Sequence, residues 1–291
     1  MSKLVIIRDA VNNLSEATSG LLAVCSPTPV WNDQFGWRHR DEHKEISLYW
    51  LTKLAGISST FHACVKLAID GYWFQVAILA RAITEAQLSI AFTLPRPNMT
   101  SGEWPNSKQK QAIENHFKET WDDPDSPYEN DRLRPHIRDL AASIGHFQCQ
   151  SSALNPHDAS QSAIQYMRFL SDYTHMAYPQ LMELLEGSRG YVLSGNQNRS
   201  SFGENELGRL LSSSYAYAEA ITELLGRIIS GCEKKAELEN VSQEKVELFR
   251  AKYKKTADIL SMLVEKSKTV DAHFPSPDDE VKKTLRSFKK R

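Results

Sequence analysis

Helix-breaking residues are scarce in this sequence, with 13 glycines and 12 prolines among 291 residues, and the prolines cluster in a few stretches. That scarcity excludes collagen-like and turn-rich β architectures and favours long helices. Cysteine is also sparse. Cys25, Cys64, Cys149 and Cys232 lie far apart with no CxxC spacing, which excludes a disulfide framework and a thiolate zinc site. Reduced thiols and a cytoplasmic location are the expectation. Charge of one sign is missing too: Lys+Arg 35 against Asp+Glu 36 leaves a net charge of -1, so any binding of nucleic acid must come from a local patch.

Long uncharged runs are absent as well. The opening Met1-Ser-Lys-Leu-Val-Ile-Ile-Arg8 holds four apolar residues before Arg8, too few for a signal-peptide core. The longest apolar segment, Tyr72 to Leu94, carries Arg81 and Glu85 near its middle, so it reads as the central helix of a soluble bundle and not as a membrane span. There is no Walker loop, no GxGxxG, no GxSxG and no calcium-loop pattern.

What is present is a period of three to four residues along most of the chain. It predicts helices over about Lys3 to Val24, Asp41 to Asp70, Tyr72 to Leu94, Ser107 to Asp122, Pro135 to Phe147, Asp158 to Glu186 with a break near Pro179, Glu204 to Cys232, and Val241 to Lys268. An irregular Trp- and Pro-containing stretch, Ser26 to Trp37, separates the first two. A Gly-, Ser- and Asn-rich loop or small hairpin is expected over Gly187 to Phe202. The helices Ser107 to Asp122 and Pro135 to Phe147 look peripheral. In the last helix Val246, Phe249, Tyr253, Leu260 and Leu263 approach heptad spacing, which requires a partner helix from this chain or from a second copy. The expected organisation is an all-α bundle over 1–232, with its core over about 41–186, followed by a C-terminal helix and basic tail over 233–291. In that final part 15 Lys+Arg face 11 Asp+Glu, and the last eleven residues hold six basic and no acidic side chains. A solvated tail and an RNA-contacting tail are both compatible with that run.

Polar residues inside apolar stripes are the candidates for chemistry. Arg168, Ser171 and His175 fall at i, i+3 and i+7, which at about 100° per residue places them on one face, shared with Ile164, Met167 and Tyr178. The expectation is a mid-helix position on a buried stripe. Arg81 and Glu85 stand one turn apart on the central helix, the spacing of an ion pair. His39-Arg-Asp-Glu42-His43 matches HxxEH, the zinc signature of inverzincins, but stands at the charged start of a helix in a chain with no mixed α/β pattern. A solvated helix start is expected there, and no metal. The remaining histidines, His62, His116, His136, His146, His157 and His273, show no ligand spacing.

The run Arg168-Phe-Leu-Ser-Asp-Tyr-Thr-His175, an Arg and a His with six residues between them on a helix of an all-α chain, resembles the signature of the HEPN superfamily. The wider pattern resembles uncharacterised bacterial HEPN-related helical proteins: an Arg81-x-x-x-Glu85 helix, then a helix bearing Tyr166, Leu170, Ser171 and His175. The resemblance covers roughly 41–186. It implies a HEPN-like bundle with a C-terminal helical extension and a metal-independent endoribonuclease without cofactor, with Arg168 and His175 as the catalytic pair. It further implies RNA as substrate, a homodimer, and a toxin or antiphage-defence role with an antitoxin or other partner protein.

In that reading an imidazole, which titrates near neutral pH, takes the proton of a ribose 2′-hydroxyl while the guanidinium stabilises charge on the phosphoryl oxygens. Ser171 or Asp172 would orient the imidazole, and Arg81 and Glu85 would support the pair. The rival expectation is a non-catalytic module binding a protein partner or a nucleotide, in which Arg168, Ser171, His175, Arg81 and Glu85 form a network that fixes helix register or lines a ligand pocket.

Overall fold

The computed structural model describes residues 2–25, 29–32, 36–39, 46–95, 104–117, 140, 156–177, 180, 202–239 and 242–275. Among them the architecture is all-α, with seven helices and one small hairpin. Helix α1 (Lys3–Cys25) buries Ile6, Ile7, Ala10, Val11, Leu14, Ala17, Leu21 and Val24, a stripe at helical spacing. Strands β1 (Pro29–Asn32) and β2 (Gly36–His39) pair antiparallel, with Val30 opposite Arg38 and Trp31 opposite Trp37. This hairpin stands where the sequence pattern predicts irregular chain. It is too short to give alternation, and Asn32 and Gly36, both turn-formers, bracket its loop.

Helix α2 (Ile46–Ile69) buries Trp50, Leu51, Leu54, Ile57 and Phe61. It ends in a Schellman motif: Gly71, at φ 80°, donates to the Ala68 carbonyl at 3.1 Å and Tyr72 to the Leu67 carbonyl at 2.8 Å. A glycine takes this left-handed conformation without a Cβ penalty, which returns the chain into α3 (Trp73–Thr93). Helix α3 is long and apolar enough to cross a membrane by length and composition; in the fold it packs on α2 and on two later helices.

The carbonyls left open at the end of α3 are satisfied from α4 (Ser107–Phe117) and the turn before it. The Trp104 indole donates to the Thr93 carbonyl at 2.9 Å and the Gln109 amide to the Phe92 carbonyl at 2.8 Å. Gln109 also completes a capping box with Asn106, their side chains and backbone amides exchanging bonds of 2.9 and 3.0 Å. Trp104 stacks on the buried Trp50, whose indole donates to Thr93 Oγ1 at 2.9 Å. Helix α4 is thereby built into the core through Gln109, Ala112 and Ile113 and is not peripheral.

Helix α5 (Pro156–Thr174) packs on α3, and α6 (Glu204–Leu238) and α7 (Gln243–His273) form an antiparallel hairpin that closes over α1. Helix α6 is continuous through position 232. Its Tyr215 hydroxyl donates to the Ala10 carbonyl at 2.7 Å, and the buried Gln87 amide of α3 donates to the Leu210 carbonyl at 2.9 Å and Ser214 Oγ at 2.7 Å. The partner that the heptad pattern of α7 requires is α6 of the same chain. Cys25, Cys64 and Cys232 carry no disulfide, and burial pushes the Cys64 thiol up to about 12. The segments 135–139, 141–147, 187–200 and 276–291, where sequence patterning predicts a helix, a loop or hairpin and a tail, lie outside the described residues.

Candidate functional site

Helix α5 starts with Pro156 and Asp158 in its first turn, both suited to a helix N-terminus. Its buried side is Met167, Leu170 and Tyr173, set against α3. The Tyr173 ring meets the Phe74 ring edge-on at 5.3 Å and the Phe169 ring at 5.3 Å. Such aromatic contacts fix the rotation of α5 about its axis, and with it the direction of every other side chain on the helix.

The opposite side carries Arg168, Asp172 and His175, all exposed, with Ser171 half-buried beside them. This corrects the expectation of a buried stripe. The residues lie on one face as their spacing requires, but only the Tyr166, Leu170 and Tyr173 side, together with Met167, turns inward, because among the described residues the main packing partner of α5 is α3. Ser171 Oγ donates back to the Met167 carbonyl at 2.7 Å, so its proton is directed along the helix and not to His175. Among the described residues the side chains of Arg168, Asp172 and His175 make no hydrogen bond or ion pair with one another or with any neighbour.

The position along the helix also differs from the mid-helix expectation. Helix α5 closes at Thr174, with His175 as the residue leaving it. The Met176 amide donates to the Tyr173 carbonyl at 3.2 Å and the Ala177 amide to the Asp172 carbonyl at 2.8 Å, a second Schellman motif. Its left-handed residue is Met176, at φ 51° and 59% exposed. A methionine there carries the steric cost that glycine avoids, about 1 kcal/mol. Tyr178 lies outside the described residues.

Arg81 and Glu85 sit on α3 and satisfy each other, Arg81 Nε standing 3.0 Å from Glu85 Oε1 with both side chains partly open to solvent. Ser89, one turn on, donates to the Glu85 carbonyl at 2.7 Å. Among the described residues no bond joins this pair to Arg168, Ser171 or His175, so the five residues form two separate groups.

A cluster that sequence patterning passes over lies between α2 and α4. His116 Nε2 is 3.0 Å from Thr52 Oγ1, and its ring meets the Tyr49 ring edge-on at 4.9 Å, with Lys53 Nζ 5.5 Å from the Tyr49 centroid. Burial, and secondarily the Lys53 charge, lower the His116 imidazole to about 4, and burial raises the Tyr49 hydroxyl to about 12. The signal available in the sequence was the stripe Gln109, Ala112, Ile113 and His116 at i, i+3, i+4 and i+7. Both ring systems are neutral at neutral pH, and the cluster latches α4 to α2.

His39, the first residue of HxxEH, closes strand β2, so the motif does not begin on a helix; Glu42 and His43 lie outside the described residues. Among the described residues no group of three or more His, Cys, Asp or Glu side chains is placed to hold a metal ion. No family model, no curated protein and no solved structure matches this chain.

Proposed function

We propose that the protein is a metal-independent endoribonuclease of HEPN type with Arg168 and His175 as its working pair. The observation that carries this reading is their shared, solvent-facing side of α5, where neither side chain is committed to a partner among the described residues. A catalytic pair must be reachable by an RNA strand. A register-fixing network must instead be bonded, and of these residues only Arg81 and Glu85 pair with each other among the described residues.

Seven residues at 1.5 Å rise set the two Cα atoms about 10 Å apart along the helix. An extended guanidinium and a ribose-phosphate unit together span that gap. His175 takes the proton of a ribose 2′-hydroxyl, the 2′-oxygen attacks the adjacent phosphorus, and the 5′-oxygen departs and is protonated. Arg168 holds the non-bridging oxygens as charge grows on them. The products are a 2′,3′-cyclic phosphate and a 5′-hydroxyl end. Asp172, exposed three residues before His175, would orient the imidazole once substrate is bound. A cytoplasmic homodimer acting as a toxin or antiphage effector, held in check by a partner protein, accompanies this proposal on the strength of the HEPN resemblance.

The test is incubation of the purified protein, His175→Ala and Arg168→Ala with total RNA and a tRNA pool in EDTA, followed by mapping of the ends. The reading expects cyclic-phosphate ends that vanish in both variants. Absence of cleavage by the wild-type protein across these substrates defeats it.

A further inference from the structure

Beyond Gly226 the α6/α7 hairpin becomes an arm with little buried surface: on α6 only Ala236 is buried after that point, and on α7 only Val246 before Thr256. A groove of about 490 Å³ runs between the two helices there, a volume in the range of small-molecule sites. Arg227, Ser230 and Lys234 line its α6 side and Tyr253 its α7 side, with the buried hydroxyl residues Thr222 and Thr256 also in its wall. Arg227 bonds to Glu223, the one carboxylate in the lining, whereas Lys234 has no ion pair among the described residues. Tyr253 is 46% exposed. Arg250, outside the lining, bonds Glu233 at 2.9 Å and Glu237 at 2.7 Å across the hairpin and keeps those carboxylates occupied.

Two glycines give this groove its room. A glycine inside a helix is unfavourable relative to alanine and calls for a packing reason. Gly208, lower on α6, has one, since a Cβ there would stand 2.2 Å from the Phe274 ring. Gly226 and Gly231 have none: a Cβ on Gly226 would meet Thr256 and Tyr253 at ordinary distances of 3.7 and 3.8 Å, and one on Gly231 would meet nothing within 4 Å. Both line the groove. What side chains at these positions would occupy is the groove itself.

We propose that this groove binds a nucleoside phosphate. The phosphate lies against Lys234 and Arg227, Ser230 meets the sugar hydroxyls, and the base stacks on the open face of Tyr253. The Lys234 ammonium on one wall, with the donors of Arg227 not used by Glu223 beside it, selects for anionic groups, and an exposed aromatic ring on the other selects for a flat ring without reading its identity. The site is separate from the Arg168 and His175 face and stands whether or not that face cleaves RNA. The same chemistry is offered by a free nucleotide and by one nucleotide of an RNA strand.

Calorimetric titration of the full-length protein with AMP, with ATP, with a hexa-adenylate RNA and with inorganic phosphate tests the proposal. Binding of a mononucleotide without the hexamer identifies a free effector, and binding of the hexamer alone identifies a strand-holding site. In either case Lys234→Glu is expected to weaken binding at least ten-fold and Tyr253→Ala about ten-fold. Gly231→Leu, whose Cβ meets nothing within 4 Å and whose side chain would enter the groove, is expected to abolish binding at an unchanged or higher Tm. The proposal is overturned if none of the probes binds, if Gly231→Leu and Lys234→Glu bind as the wild type does, or if inorganic phosphate binds as tightly as the nucleotides.

Discussion

The ring of Phe274 occupies the place of a side chain on Gly208: a Cβ built on that glycine would stand 2.2 Å from one ring carbon and 2.3 Å from another. Phe274 is 2% exposed and ends α7, so this contact seats the C-terminal end of α7 on the first half of α6, while Lys3 of α1 lies 5.9 Å over the same ring. Gly208 is therefore a packing glycine, and the close approach of two helices depends on its missing side chain.

Gly208→Ala is expected to destabilise the protein despite the better helix propensity of alanine. The ring must leave a well-packed site, a penalty of about 1–3 kcal/mol, against a propensity gain of about 1 kcal/mol. Gly226→Ala, where a Cβ meets only ordinary contacts, is expected to raise stability by up to about 1 kcal/mol. Urea unfolding of both variants checks the pair. Equal shifts of one sign would mean that Phe274 does not hold α7 in place.

The His116 latch makes stability depend on acid. Its imidazole is held down at about 4, by burial first and Lys53 second, whereas in the unfolded chain it titrates near 6.5. A lowered histidine value means that the unfolded state takes up the proton first as pH falls. The contribution of the latch is then complete above about 6.5 and is lost between there and about 4. His116 is exposed as a residue, so screening reduces the loss to about 1 kcal/mol. The stability difference between wild type and His116→Gln, taken from urea midpoints, is expected to shrink from pH 7 to pH 4.5. A difference that stays constant over that window would remove the latch.

Periodicity alone located α1, α2 and α3 to within a few residues, because each buries a stripe at three- and four-residue spacing and ends at a recognisable signal such as Asp70-Gly71. It misjudged α5 for a definite reason. Two apolar stripes, one through Tyr166, Leu170 and Tyr173 and one through Ile164 and Met167, read as a helix buried on most sides, but burial stops at Met167 and leaves the Arg168, Asp172 and His175 side open. Spacing fixes which residues share a face; the neighbour that decides whether the face is buried is a tertiary fact. The end of α5 was hidden because methionine is an unusual left-handed residue, and the sequence offered Pro179 as the first visible stop. The meeting of Tyr49 with His116 spans 67 positions and has no local signature beyond the stripe on α4.

Met176→Gly is expected to stabilise the protein by about 1 kcal/mol, since φ 51° costs glycine nothing and the methionine side chain is mostly in solvent. In a chain of this size that is a rise in Tm of about 2 °C. Met176→Asn should fall between the two. A lowered Tm in Met176→Gly would show that the thioether makes a contact worth more than the backbone strain.

The exposure of Arg168 and His175 separates their role in folding from their role in chemistry. Surface side chains without partners contribute within about 0.5 kcal/mol to stability, so Arg168→Ala, His175→Ala and the double variant are expected to unfold with the wild-type protein. If the pair cleaves RNA, His175→Ala loses the general base, a loss of at least about 100-fold. Arg168→Lys, which keeps the charge but not the forked donors, is expected to retain more activity than Arg168→Ala. The double variant should be little worse than the weaker single one, because two groups acting in one transition state do not add. Rates on one labelled RNA, read beside urea midpoints for all four variants, check both halves of this expectation. Full activity in His175→Ala would take the chemistry away from α5. A midpoint that falls sharply in His175→Ala would return that residue to a bonded, structural role.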